Sequence, residues 1–143
     1  MMKVYRETQS IKPLCMKGFV TNIEVATLTN TDYRRVLYTA EHSQLVLMCL
    51  QPGDEIGMEV HTLDQFIRIE QGSAKALLDG VEHTLAADFA VVVPAGTKHN
   101  IINTGDGALK LYTVYAPPEH KDAMVEHTKA EEIEEHFDGK TTE

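Results

Sequence analysis

Apolar residues fall into short runs separated by turn residues, spaced about ten apart over much of the chain. Leu45-Val46-Leu47-Met48-Cys49-Leu50 is apolar at every position, the pattern of a strand covered on both faces. Tyr33 to Tyr38, Phe66 to Glu70, Ala74 to Leu78, Val81 to Leu85, Phe89 to Val93 and Leu109 to Tyr115 read as further strands. Phe19 to Leu28 alternates in part, and its Val25 and Thr27 favour extension. Asn30-Thr31-Asp32, Gln71-Gly72, Asp79-Gly80 and Ala95-Gly96 punctuate the runs. Asp79-Gly80 between two apolar stretches predicts a two-residue hairpin. Many short strands with regular turns predict an all-β sandwich or barrel.

The ends differ from this middle. Residues 1–17 read as an N-terminal arm, 18–118 as the barrel and 119–143 as a C-terminal tail. In the tail, Thr128-Lys129-Ala130-Glu131 has the form of a capping box. Ile133 and Phe137 then share one helical face, and Gly139 can end the helix. A short C-terminal helix is expected, with Glu131, Glu132, Glu134 and Glu135 on its solvated side. The run Leu45 to Leu50 needs cover on its outer face. A second copy of the chain is one source, so a homodimer is expected; packing of one sheet on another within the chain is the rival.

Composition narrows the class. A chain of 143 residues is one domain with room for a core. A net charge of −9, with no Lys/Arg cluster, argues against nucleic acid as a partner. No apolar stretch reaches the roughly 20 residues that span a membrane. The N-terminal residues lack the apolar core of a signal peptide, and a cytoplasmic location is the default expectation. Cys15 and Cys49 form no CxxC motif, and Cys49 in its apolar run reads as a reduced, buried thiol.

The chemistry concentrates in two stretches. The first runs Gly53, five residues, Glu59-Val60-His61, three residues, Gln65, six residues, Gly72. The second runs Asp88, five residues, Pro94-Ala95-Gly96, two residues, His99, three residues, Asn103. On a strand, residues two apart point to one face, so Glu59 and His61 can address one cavity. Gln65 opens the next strand, and Ile67 and Ile69 share its parity. Glu59, His61, Gln65 and His99 are therefore candidate ligands for one divalent metal ion per chain. Imidazole, carboxylate and amide oxygen suit Zn, Mn, Fe, Ni or Cu(II), with no thiolate to favour softer ions. Glu59, His61 and His99 also have the composition of a 2-His-1-carboxylate face with positions left for water or substrate. Gly53, Gly72 and Gly96 read as turn residues, and no GxGxxG or P-loop is present.

These motifs resemble those of a small single-domain cupin. The family reads G-x5-H-x-H-x3-4-E-x6-G, then G-x5-P-x-G-x2-H-x3-N, and the intervals agree from Gly53 to Asn103. Three residues depart: Glu59 stands at the first His, Gln65 at the Glu and Asp88 at the second motif's first Gly. The two ligand exchanges offset in charge, so the resemblance still implies a divalent cation site with its carboxylate moved. It implies a double-stranded β-helix, the jelly-roll barrel of that family. It also implies a small-molecule ligand. The expected activity is metal-dependent isomerisation, epimerisation or a lyase step on a small polar substrate, sugar derivatives being one such class. The alternatives are an Fe(II)-dependent dioxygenase and a non-catalytic barrel that binds a metal or small molecule. Tyr112, Tyr115 and His120, at or just after the last strand, are candidates for moving protons. His83, His127 and His136 read as surface histidines.

Overall fold

A computed structural model describes residues 15–143. Of the expected N-terminal arm, only residues 15–17 lie within it. The chain forms α1 (Ile23–Thr29), β1 (Arg34–Thr39), β2 (Gln44–Leu50), β3 (Asp64–Gln71), β4 (Ser73–Leu78), β5 (Val81–Ala86), β6 (Ala90–Val93), β7 (His99–Asn103), β8 (Leu109–Ala116) and β9 (Val125–Glu126). All strand pairs are antiparallel. One sheet has the order β6-β3-β8-β2-β1-β9 and the other β5-β4-β7. Single bridges of Glu55 to Ile102 and Glu59 to His99 lay the segment before β3 along the free edge of β7. The all-β architecture is the one the strand pattern implies, and its jelly-roll form is the one the resemblance implies.

Strand alternation fills the space between the sheets. Val46, Met48, Leu50, Ile67, Ile69, Leu109 and Leu111 face inward from the larger sheet, and Ala74, Ala76 and Ile101 from the smaller. Turns hold the register. Asp79 (φ 47°) and Gly80 (φ 83°) are both left-handed, as a hairpin with the right-handed strand twist requires. Gly72 (φ 102°) is sterically obligatory, because a Cβ there would stand 2.9 Å from the Ala108 carbonyl oxygen. Asp88, at the motif's usual Gly, keeps a left-handed φ of 75°, which Asp tolerates better than most residues, and accepts a hydrogen bond from Arg68.

Two local expectations are corrected. The stretch read as extended, Phe19 to Leu28, contains the α-helix Ile23–Thr29. Asn22 caps it by accepting from the Val25 amide, and the Thr27 and Thr29 hydroxyls bond carbonyls one turn back. Its inner face carries Ile23, Ala26, Thr27 and Asn30, a 3.6-residue spacing that outweighs β-branched propensity once packed. The helix lies on β2, β3 and β8. It therefore supplies, within the chain, cover of the kind a second copy was invoked for.

The tail is the second correction. Its helix amounts to one 3-10 turn, Lys129–Glu131, and residues 132–138 take no regular form. The Thr128 hydroxyl meets the Glu131 carboxylate rather than a backbone amide, so the expected cap does not close. Ion pairs win instead. Glu132 binds Arg34 and Lys129, which holds the tail against the barrel mouth rather than on a solvated helix face.

Candidate metal centre and the pocket beside it

At one end of the sandwich the inward row turns polar. Gln44, Tyr115 and Gln65 are register partners across β2, β8 and β3, and all three are buried. His99 opens β7 on the opposing sheet. The turn before it is tied to the first motif: the Gly96 amide donates to the His61 carbonyl, and the Ala95 amide to Asp64 Oδ1. The two motifs thus place His61 and His99 with ring centroids 5.0 Å apart. His61 also meets the Tyr115 ring edge-on at 6.0 Å.

Donor orientation follows from the hydrogen bonds. His99 Nδ1 lies 2.9 Å from the Thr97 carbonyl oxygen, which only accepts, so Nδ1 carries the proton and Nε2 keeps a lone pair. His61 Nδ1 lies 3.1 Å from Glu119 Oε2, and its Nε2 lies 3.4 Å from Glu59 Oε2. Gln65 donates to Thr113 Oγ1 at 3.0 Å, while its Oε1 is buried without a partner. An orphaned buried oxygen is costly, and a bound cation is one partner that would offset that cost.

Charges around His61 reinforce this geometry. The bond to Glu119 is the main influence raising the His61 pKa, with burial opposing it and Glu59 adding to it. Burial pushes Glu119 up, but bonds from His61 and His136 outweigh it and bring the carboxyl down to about 2. Burial raises Glu59 against the pull of His61 and Arg34. Among the described residues, no group of three or more His, Cys, Asp or Glu is gathered into a ready-made metal cluster. Without a cation, His61 is held between two carboxylates. In kind the donors nevertheless suit a divalent cation: two imidazole nitrogens, one carboxylate and the unpartnered amide oxygen.

The proton-transfer candidates separate. Tyr112 points to the outer face, against Phe66 at 6.3 Å, away from the histidines. Tyr115 faces inward, and burial raises its pKa, so the phenol stays protonated. His120 is buried rather than exposed; burial and then Arg34 bring it down to about 3, so its ring is neutral near pH 7. Its Nε2 lies 3.4 Å from the Tyr115 hydroxyl. His83 is exposed, and His127 lies on the surface beside Asp32. His136 is also largely exposed but reaches Glu119 Oε1 at 2.7 Å. Cys49 is a free, buried thiol whose pKa burial raises, which leaves it a poor nucleophile.

Beside these groups a cavity of about 410 Å³ opens between the barrel and the tail. Arg34, Glu59, Glu119, His120, Lys129 and Glu132 are among its walls. Arg34 is buried and bound to Glu126 at 2.6 Å and Glu132 at 3.1 Å. Arg34, Glu126 and Glu132 carried no motif signal; their inward placement depends on β1, β9 and the tail meeting in space.

The match to known proteins agrees with this fold. Residues 46–115 match the family model described as the cupin domain, and the chain belongs to the cupin family. It is 45% identical over 124 residues to the uncharacterized protein YrkC of Bacillus subtilis (strain 168), covering 82% of this chain and 67% of that one. It is 44% identical over 113 residues to the uncharacterized protein L612 of Acanthamoeba polyphaga mimivirus, covering 76% of this chain and 71% of that one. The crystal structure of BH2720 from Bacillus halodurans superposes with a TM-score of 0.79 at 43% identity, covering 80% of this chain and 92% of that one.

Proposed function

We propose that this chain binds one divalent first-row metal ion through His61, His99, Glu59 and Gln65. We propose further that it acts there on a small polar, sugar-derived molecule by isomerisation, epimerisation or a lyase step. The observation that carries the reading is the orientation of the two imidazoles. Each gives Nδ1–H to a fixed oxygen, of Glu119 or of Thr97, and each is left with Nε2 as a donor. The metal, when bound, polarises a carbonyl or enolate oxygen. The chain's own groups do the rest. Tyr115 holds a proton at its hydroxyl, and His120, kept neutral by burial, orients that hydroxyl through Nε2 at 3.4 Å. The cavity of about 410 Å³ has the size of a small-molecule site. Its cations are already paired with Glu126 and Glu132, while Glu59 and Glu119 add negative charge, so neutral hydroxylated substrates suit it better than anions.

A second reading rests on the donor set itself. Glu59, His61 and His99 have the two-imidazole, one-carboxylate composition of Fe(II) oxygenases. Metal analysis of purified, untagged protein tests both readings. About one equivalent of a first-row metal, lost in His61→Ala, supports the site. Protein that is metal-free and refuses added Zn, Mn, Fe and Ni overturns it. Turnover of a sugar panel with zinc or manganese supports the first reading; substrate-dependent oxygen consumption with iron but not zinc supports the second.

A further inference from the structure

We propose that Glu119, the residue directly after Pro117-Pro118, is the positioning residue of the metal centre: it fixes the His61 ring so that Nε2 is the free donor. This rests on the metal-site reading above, and extends it by making the segment after the last barrel strand part of the site.

The geometry is unusually complete at this one residue. Glu119 Oε2 takes His61 Nδ1 at 3.1 Å, and Oε1 takes His136 Nδ1 at 2.7 Å. The Glu119 amide donates to Gln44 Oε1 at 3.3 Å, and its carbonyl accepts from the Phe137 amide at 2.8 Å. Both backbone groups and both carboxylate oxygens are therefore engaged, and the side chain is only 11% exposed. Gln44 anchors this segment from inside the sandwich. Its amide is 1% exposed, accepts from His120 N at 2.9 Å, and donates to the His120 carbonyl at 2.7 Å and Thr39 Oγ1 at 2.9 Å. A buried side-chain amide thus replaces the strand pairing that β2 lacks where the chain leaves β8.

The physical need for such a residue is plain. A neutral imidazole has two tautomers, and only the one protonated at Nδ1 offers Nε2. His99 has its tautomer set by the Thr97 carbonyl two residues away, a local contact. The Nδ1 partner of His61 comes instead from Glu119, far along the chain. A carboxylate acceptor also makes the ring a stronger donor. Without it, Glu59 at 3.4 Å from Nε2 would favour the opposite tautomer, with the proton where a metal must bind.

The test compares wild type, Glu119→Ala and Glu119→Gln. Zinc affinity is measured by chelator competition, and the His61 tautomer by nitrogen-15 NMR of metal-free protein at a pH where the ring is neutral. Glu119→Ala is expected to weaken zinc binding about 10- to 100-fold and to shift His61 toward the Nε2–H form. Glu119→Gln keeps an acceptor oxygen and is expected to retain the Nδ1–H form and to bind zinc more tightly than Glu119→Ala. An unchanged tautomer in Glu119→Ala overturns the proposal, whatever the affinity does. If wild type binds no metal, the metal-site reading fails, and the tautomer comparison still decides the role of Glu119: a shift supports it, no shift overturns it.

Discussion

Glu59 and His99 exchange both backbone hydrogen bonds, at 2.8 and 2.9 Å, across a bridge that joins the two motifs into one sheet edge. The pairing sets the carboxylate of one motif beside the imidazole of the other. His99 is the first residue of β7, so the site sits where the pairing of that strand begins.

Removing either imidazole is expected to abolish tight metal binding. Elemental analysis should find His61→Ala and His99→Ala essentially metal-free, while Gln65→Ala retains metal with weakened affinity. Equal metal content in His99→Ala and wild type would end the proposed site.

Gln65 should show a trade between stability and binding. Its Oε1 is buried and unpartnered, a cost of about 1–3 kcal/mol. Gln65→Met removes that oxygen together with the bond to Thr113, worth about 1 kcal/mol. Metal-free stability in urea is expected to stay within about 1 kcal/mol of wild type or to rise, while metal affinity falls. A large loss of stability with no loss of affinity would assign Gln65 to the fold alone.

Metal binding should weaken as pH falls. The pKa of His61 is raised, chiefly by Glu119, so protons occupy the ring at higher pH than in a free imidazole. Metal must displace the Nε2 proton, so affinity is expected to drop as pH falls through that raised value, with proton release on binding. Calorimetry in buffers of different ionisation enthalpy reads the released protons.

The tail contact should give an acid limb to stability. Burial raises Glu132, but the Lys129 bond and the Arg34 charge outweigh it, and its pKa lies below 4.5. A lowered carboxyl contributes stability that is complete above its unfolded value and lost as pH falls through the folded one. Thermal melts of wild type should therefore fall between about pH 5 and 3 more steeply than those of Glu132→Gln.

Gly72→Ala is expected to destabilise by more than about 1 kcal/mol. The φ of 102° and the 2.9 Å approach to the Ala108 carbonyl both oppose a Cβ. A chemical melt within error of wild type would show that the β3–β4 turn relaxes freely.

The sequence by itself determined the strands, the hairpin at Asp79-Gly80 and the two stretches that carry the candidate ligands. These are local properties: side-chain parity, turn chemistry and fixed spacing act within a few residues. It misread 23–29 as extended because β-branched propensity is weak beside an N-cap and a packed face. It misread the tail as a helix because Glu132 gains more from Arg34 and Lys129 than from a solvated turn. It placed His120 just after the last strand but carried no sign that Gln44 draws its backbone into the sandwich. Only the tertiary structure decided that Glu119 and Arg34 line the cavity and that Gln44 holds the segment beside it. Each acts on residues far away in sequence, and long-range pairing of charges and buried amides leaves no periodic trace along the chain.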